Sequence, residues 1–194
     1  MYKLIGISGT NGAGKDTVGR LLVERHGFMF ISVTDILRSD LKKHGLPIDR
    51  EHLRTLSAQW RRTEGLGVLV NKAIELFNSN SRQYDGLALA SMRNPGEADE
   101  VHSRGGLMVW VDADPRLRYE RVQKNLASRS RDTEDKVTFE KFLADEDAEM
   151  YHPLDGDAAT LSLSDVKAKC DIFIDNDGEE FDELDTKLTK ALKL

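Results

Sequence analysis

Short apolar runs alternate along this chain with stretches whose apolar residues recur every three or four positions. The runs at 4–7, 28–33, 86–91, 107–111 and 171–174 have the length and density of strands buried on both faces. Val18, Leu21 and Leu22 mark a helix after the first run, and Gly27 ends it. Thr34 or Asp35 can cap a helix over 36–43, which Gly45 and Pro47 close. A helical region follows over 50–80, interrupted by Gly65 and Gly67. Its first half aligns Leu53, Leu56 and Trp60. Its second half aligns Leu66, Leu69, Val70, Ala73, Ile74 and Phe77 in a stripe that reads as core. Pro95 suits the first position of a helix running to His102, and Asp114-Pro115 starts another that carries Tyr119, Val122 and Leu126. Residues 128–136 are polar and too poor in apolar side chains to pack. A helix over 137–150 turns Phe139, Phe142 and Leu143 inward and leaves Asp145-Glu146-Asp147 as a solvated face. The pattern gives no assignment for 151–168. Asn176-Asp177-Gly178 then turns the chain into a last helix with Phe181, Leu184, Leu188 and Leu192.

Strands alternating with helices predict an α/β fold, a five-stranded parallel sheet flanked by helices. Ligands of such sheets lie beyond the carboxyl ends of the strands. Those ends carry 9–17, 34–35, 91–94, 112–114 and 176–178, so polar residues collect along one rim.

Composition narrows the classes. The 194 residues, 39% hydrophobic and 32% charged, suit one globular domain spanning 1–194 with no repeat or linker. A net charge of -6 argues against a nucleic-acid polymer as partner, and an anionic substrate would have to meet local clusters of Arg and Lys. Cys170 is the single cysteine, which excludes an internal disulfide and reads as a buried, inert thiol. No run approaches the roughly 20 apolar residues of a membrane span, and the first residues already belong to a core strand rather than a signal peptide. The expectation is a cytoplasmic protein with no membrane partner, acting as a monomer or homodimer. His152 has no partner at metal-ligand spacing.

Between the first strand and helix lies Gly9-Thr10-Asn11-Gly12-Ala13-Gly14-Lys15-Asp16-Thr17. It fits the phosphate-loop spacing G-x-x-x-x-G-K-[ST] except that Asp16 stands at the hydroxyl position, with Thr17 one place later. The glycines let backbone N–H groups converge on a phosphate, and the helix adds its positive end. Gly9, Asn11, Gly12, Ala13, Gly14, Lys15, Asp16 and Thr17 are therefore expected to hold a nucleotide, with Lys15 reaching the outer phosphates. A GTPase needs an Asn/Thr-Lys-x-Asp element, and Asn71-Lys72-Ala73-Ile74 lacks the Asp. Transporter ATPases carry a signature that Leu56-Ser57-Ala58-Gln59 does not match. A small-molecule kinase using ATP and Mg2+ remains. Such an enzyme must hold two anions close together and screen the transferred group. Arg38, Arg93, Arg118 and Arg121 follow the second, third and fourth strands on the functional rim. Arg129 and Arg131 lie in the polar segment, which reads as a cover.

These residues carry a family resemblance. Residues 31–38, Ile-Ser-Val-Thr-Asp-Ile-Leu-Arg, resemble the acceptor strand and helix of adenylate-kinase-type nucleoside monophosphate kinases, and 92–98 resemble that family's second acceptor-arginine segment. Asp114-Pro115 through Arg118 and Arg121 is similar to the start of the lid helices of adenylate kinase and dephospho-coenzyme A kinase. Residues 171–178 are similar to the last strand and loop of dephospho-coenzyme A kinase, a loop that lies beside adenine. The Gly-Lys-Asp-Thr ending resembles phage-type deoxynucleoside monophosphate kinases. The resemblance implies a P-loop NTPase fold with a core of about 1–34, 84–127 and 165–194, acceptor-binding helices over about 35–80 and a lid over about 128–150. It implies catalytic Lys15, Arg93, Arg121 and Arg131, nucleotide contacts from Arg118, Asn176 and Gly178, and a phosphorylated acceptor at Asp35, Arg38 and Arg93. The implied reaction is phosphoryl transfer to a nucleoside or deoxynucleoside monophosphate. Dephospho-coenzyme A kinase and a non-transferring ATP-binding module or ATPase are the alternatives.

Two departures qualify this. The family's third strand ends in an acid that helps place Mg2+, whereas this chain reads Leu89-Ala90-Ser91. Asp16 either supplies the missing carboxylate to the metal or caps the first helix. Asp35 either takes a proton from an acceptor hydroxyl or caps the next helix.

Overall fold

The apolar runs become β1 (Lys3–Gly9), β2 (Phe28–Ser32), β3 (Gly86–Ala90), β4 (Leu107–Asp112) and β5 (Ile172–Asp175) of one parallel sheet, ordered β2-β3-β1-β4-β5. The computed structural model describes residues 3–80, 83–126, 136–151, 156–178 and 181–194. The helices are α1 (Lys15–His26), α2 (Val33–Lys43), α3 (Arg50–Glu64), α4 (Val68–Asn78), α5 (Pro95–Ser103), α6 (Pro115–Lys124), α7 (Phe139–Met150), α8 (Leu163–Ala168) and α9 (Phe181–Leu192).

Side chains that alternate along each strand feed two cores, one on each sheet face. Leu4, Leu87, Leu89 and Met108 join α2, α3, α4 and α5. Ile5, Ile7, Ala88, Ala90, Val109 and Val111 join α1 and α9. Burial of each aliphatic side chain contributes about 1.5–3 kcal/mol. Among the described residues no helix is long and apolar enough to cross a membrane.

Four local expectations change. Val33 is buried as the first residue of α2 rather than the last of β2, so Thr34 and Asp35 lie inside the first turn, and Ser32 occupies the cap position. The unassigned stretch contains α8, anchored by buried Leu163 and Val166. α7 starts at Phe139 behind a Thr138 cap, with Phe142 buried and Phe139 and Leu143 half-buried. Its acidic run is not a solvated face: Glu146 grips Arg118 and Asp145 faces Arg50. Periodicity marks which residues could face solvent, not which acids meet arginines from distant elements. Most of the polar segment, including Arg129 and Arg131, lies outside the described residues, as does His152.

β1 runs between β3 and β4, and the chain leaves it toward one edge of the sheet before returning to build the other. Its carboxyl end is therefore the crevice where parallel sheets bind ligands.

Candidate active site

The loop after β1 is shaped by its neighbours. Gly14 is the N-cap of α1 in the left-handed region, φ 98°, and a Cβ there would strike Asn176 Nδ2. Asn176 Nδ2 donates to Ala13 O at 2.8 Å, and Arg118 Nη1 donates to Asn11 O at 3.3 Å. Thr10 Oγ1 donates to Asp112 Oδ1 at 2.7 Å. Lys15 Nζ donates to Gly9 O at 2.9 Å and Thr10 O at 2.6 Å, arching the ammonium over the loop. No side chain caps α1, so Asp16 is not its cap. It stands exposed in the first turn. A helix that starts this way turns its first N–H groups and positive dipole end toward an anion.

A cavity of about 580 Å3 opens from the loop. Asn11, Gly12, Gly14, Lys15, Asp16 and Thr17 of the loop line it together with Arg38, Arg93 and Arg121. Ala13 is buried in the core beneath, and Gly9 is buried with its carbonyl on Lys15. Asn176 and Gly178 do not line the cavity. Their carbonyls accept from Arg121 at 2.8 and 2.7 Å, which aims that guanidinium. Arg118 does not line it either. It is 2% exposed, and Glu146 holds it in a two-point contact, with Nη2 donating to Oε1 at 2.9 Å. Asp35 is exposed and off the cavity wall, where Thr34 stands instead.

Ser91, at the carboxyl end of β3, lines the cavity in the left-handed region at φ 70°, unusual outside glycine. Arg93 follows it, held by a buried frame. Glu97 Oε2 accepts from the N–H groups of Arg93 at 2.8 Å and Asn94 at 3.1 Å, while Glu97 Oε1 accepts from Arg61 Nη2 at 2.7 Å. Arg93 Nη1 pairs with Glu149, which is 7% exposed. Burial opposes ionisation of Glu149, but Arg93, Arg50 and Arg54 outweigh it and hold the carboxyl below the usual range. Burial likewise opposes ionisation of Asp112, and donors from Thr10, Ala113 and Trp110 with the Arg118 charge prevail. Burial pushes the Cys170 thiol up to about 12, which leaves it inert. Among the described residues no group of three or more His, Cys, Asp or Glu could hold a metal. Mg2+ takes one or two carboxylates and several waters, so Asp16 beside the loop fits it.

The family model of the AAA domain matches residues 5–150. The chain belongs to that family. A UPF0200 protein of Pyrobaculum aerophilum is 23% identical over 194 residues, covering 99% of this chain and 98% of that relative. A UPF0200 protein of Methanococcus maripaludis is 25% identical over 138 residues, covering 71% of this chain and 74% of the relative. Among solved structures, TT1252 from Thermus thermophilus superposes with a TM-score of 0.58 at 20% identity, covering 99% of this chain and 96% of that one. Shikimate kinase from Acinetobacter baumannii, in complex with shikimate, does so at 0.56 and 18%, covering 100% and 94%. The fold of this AAA-family chain is that of the P-loop kinases, in agreement with the resemblance to nucleoside monophosphate kinases.

Several cavity residues of this AAA-family chain carry no sequence signal. Arg50 and Arg54 enter from α3, one turn apart, and Glu149 from α7. Arg20 lies over the Phe181 ring, 5.9 Å from its centroid, at the mouth. Arg61, on the same helix as Arg50 and Arg54, is buried against Glu97.

Proposed function

We propose that the protein transfers a phosphoryl group from ATP to a nucleoside or deoxynucleoside monophosphate. The observation that supports this is one cavity lined both by a phosphate loop and by Arg38 and Arg93. Lys15 and the loop N–H groups would hold the β and γ phosphates, and Asp16 would supply a carboxylate to Mg2+. The metal, when bound, screens charge on the transferred group. Arg38 and Arg93 orient the acceptor phosphate for in-line attack, while Arg121 faces the charge that spreads over the moving group. We assign acceptor binding to the helices over about 35–80. A lid over about 128–150 would bring Arg131, with Arg129, onto the transferred group.

A phosphate acceptor is favoured over the hydroxyl of dephospho-coenzyme A because neither Asp35 nor Glu149 suits the role of base. Asp35 lies off the cavity wall, and Glu149, held below the usual carboxylate range, is a weak base. Ser91 in place of an acid favours one second reading, an ATP-binding module without transfer. Coupled ADP release with ATP, Mg2+ and a panel of monophosphates plus dephospho-coenzyme A separates the three. Turnover dependent on a monophosphate is expected. ADP formation indifferent to every acceptor would overturn the kinase reading.

A further inference from the structure

The acceptor end of the cavity holds an anion that belongs to the chain itself. Glu149, on the last turn of α7, is buried among guanidiniums from two other elements. Arg93 Nη1 takes its Oε2, while Arg50 Nη1 and Arg54 Nη2 share its Oε1, each at 3.5 Å. Asp145, one turn earlier, is 3.8 Å from Arg50. Two oxygens of the Glu149 carboxylate thus serve three cationic groups.

We propose that Arg50, Arg54 and Arg93 form a phosphate-recognition site in which Glu149 is the resident surrogate, displaced when a phosphate monoester binds. A phosphoryl dianion offers three terminal oxygens, one for each guanidinium, where the carboxylate offers two. It also brings two negative charges in place of one. The exchange is selective for charge. A neutral acceptor offers these guanidiniums no charge in exchange for Glu149, so the exchange favours an anion. Glu149 sits on α7, so its release frees the carboxyl end of that helix from the acceptor wall. Glu149 therefore sets specificity and does no chemistry.

This rests on the reading of that end of the cavity as the acceptor-phosphate site, and its test needs no turnover. Inorganic phosphate is titrated calorimetrically into the wild-type protein, Glu149→Gln, and Glu149→Gln combined with Arg93→Ala. Removing the competing carboxylate is expected to tighten phosphate binding at least tenfold, and the gain is expected to vanish in the double variant, which separates this site from the loop at Lys15. Unchanged or weaker binding to Glu149→Gln, or a gain that survives Arg93→Ala, would overturn the proposal. A second measurement uses the wild-type protein alone, so a variant that fails to fold leaves the test standing. Amide hydrogen exchange across 139–150 is expected to quicken at saturating phosphate, and unchanged or slower exchange rejects displacement. If phosphate displaces Glu149 yet no monophosphate supports ADP release, the site stands and the kinase reading falls.

Discussion

Asp16 and Ser91 exchange the positions at which related folds keep a carboxylate and a hydroxyl. Ser91 sits at φ 70° beside the loop, and its Oγ accepts from Ser32 Oγ at a long 3.4 Å. Asp16 is exposed at the start of α1, where a carboxylate also complements the helix dipole. Gly14 caps α1 without a side-chain bond, and Asp16 lines the cavity. Asp16→Ala is expected to leave the thermal midpoint within a few degrees and to raise the Mg2+ concentration for half-maximal activity about tenfold or more. A Mg2+ titration checks this, and a curve superposable on wild type would remove Asp16 from the metal.

Between elements, a buried tie joins Arg61 on α3 to Glu97 on α5, 3% and 0% exposed. Arg61 also donates to Ala159 O at 3.1 Å, and Ser162 N–H donates to Arg93 O at 2.9 Å, so 157–162 is pinned to the same frame. Glu97→Ala strands a buried guanidinium and frees the backbone at Arg93. It is expected to cost about 3–5 kcal/mol in urea unfolding. Glu97→Gln keeps one acceptor and is expected to cost less. Little of this was legible in the chain. Strands announced themselves as apolar runs, α4 by its stripe, α5 by Pro95, and the loop by its glycines. Each of those signals lies within about ten residues. Arg54 meets Glu149 at a separation of 95 residues and Arg93 meets it at 56. No local period encodes such pairs, so the acids of α7 read as solvated until the fold brought arginines to them. The early start of α2 was hidden for a different reason: Val33 is apolar and serves a buried strand end or a buried helix start equally well.

Across the whole molecule, a net negative chain concentrates positive charge in one cleft and offsets it with buried carboxylates. Glu149 and Asp112 both ionise more readily in the fold than in the unfolded chain. The unfolded state therefore binds their protons first as pH falls. Stability from these groups is complete above their unfolded values near ~4, and is lost progressively as pH drops through the lower folded values. Urea midpoints measured from pH 7 to 3 are expected to be level down to about 5 and to fall below it. Glu149→Gln is expected to flatten part of that descent, and a midpoint that rises on acidification contradicts the assignment.

α7 carries Glu146 and Glu149 three residues apart, and they meet arginines from different elements. Glu146 closes on Arg118, which also supports the loop at Asn11 O, while Glu149 closes on the arginines of the opposite wall. One helix thus links the support of the loop to the arginine cluster. By the reciprocity of linked equilibria, whatever factor a phosphate at the far wall imposes on nucleotide affinity, the nucleotide must return to the phosphate unchanged.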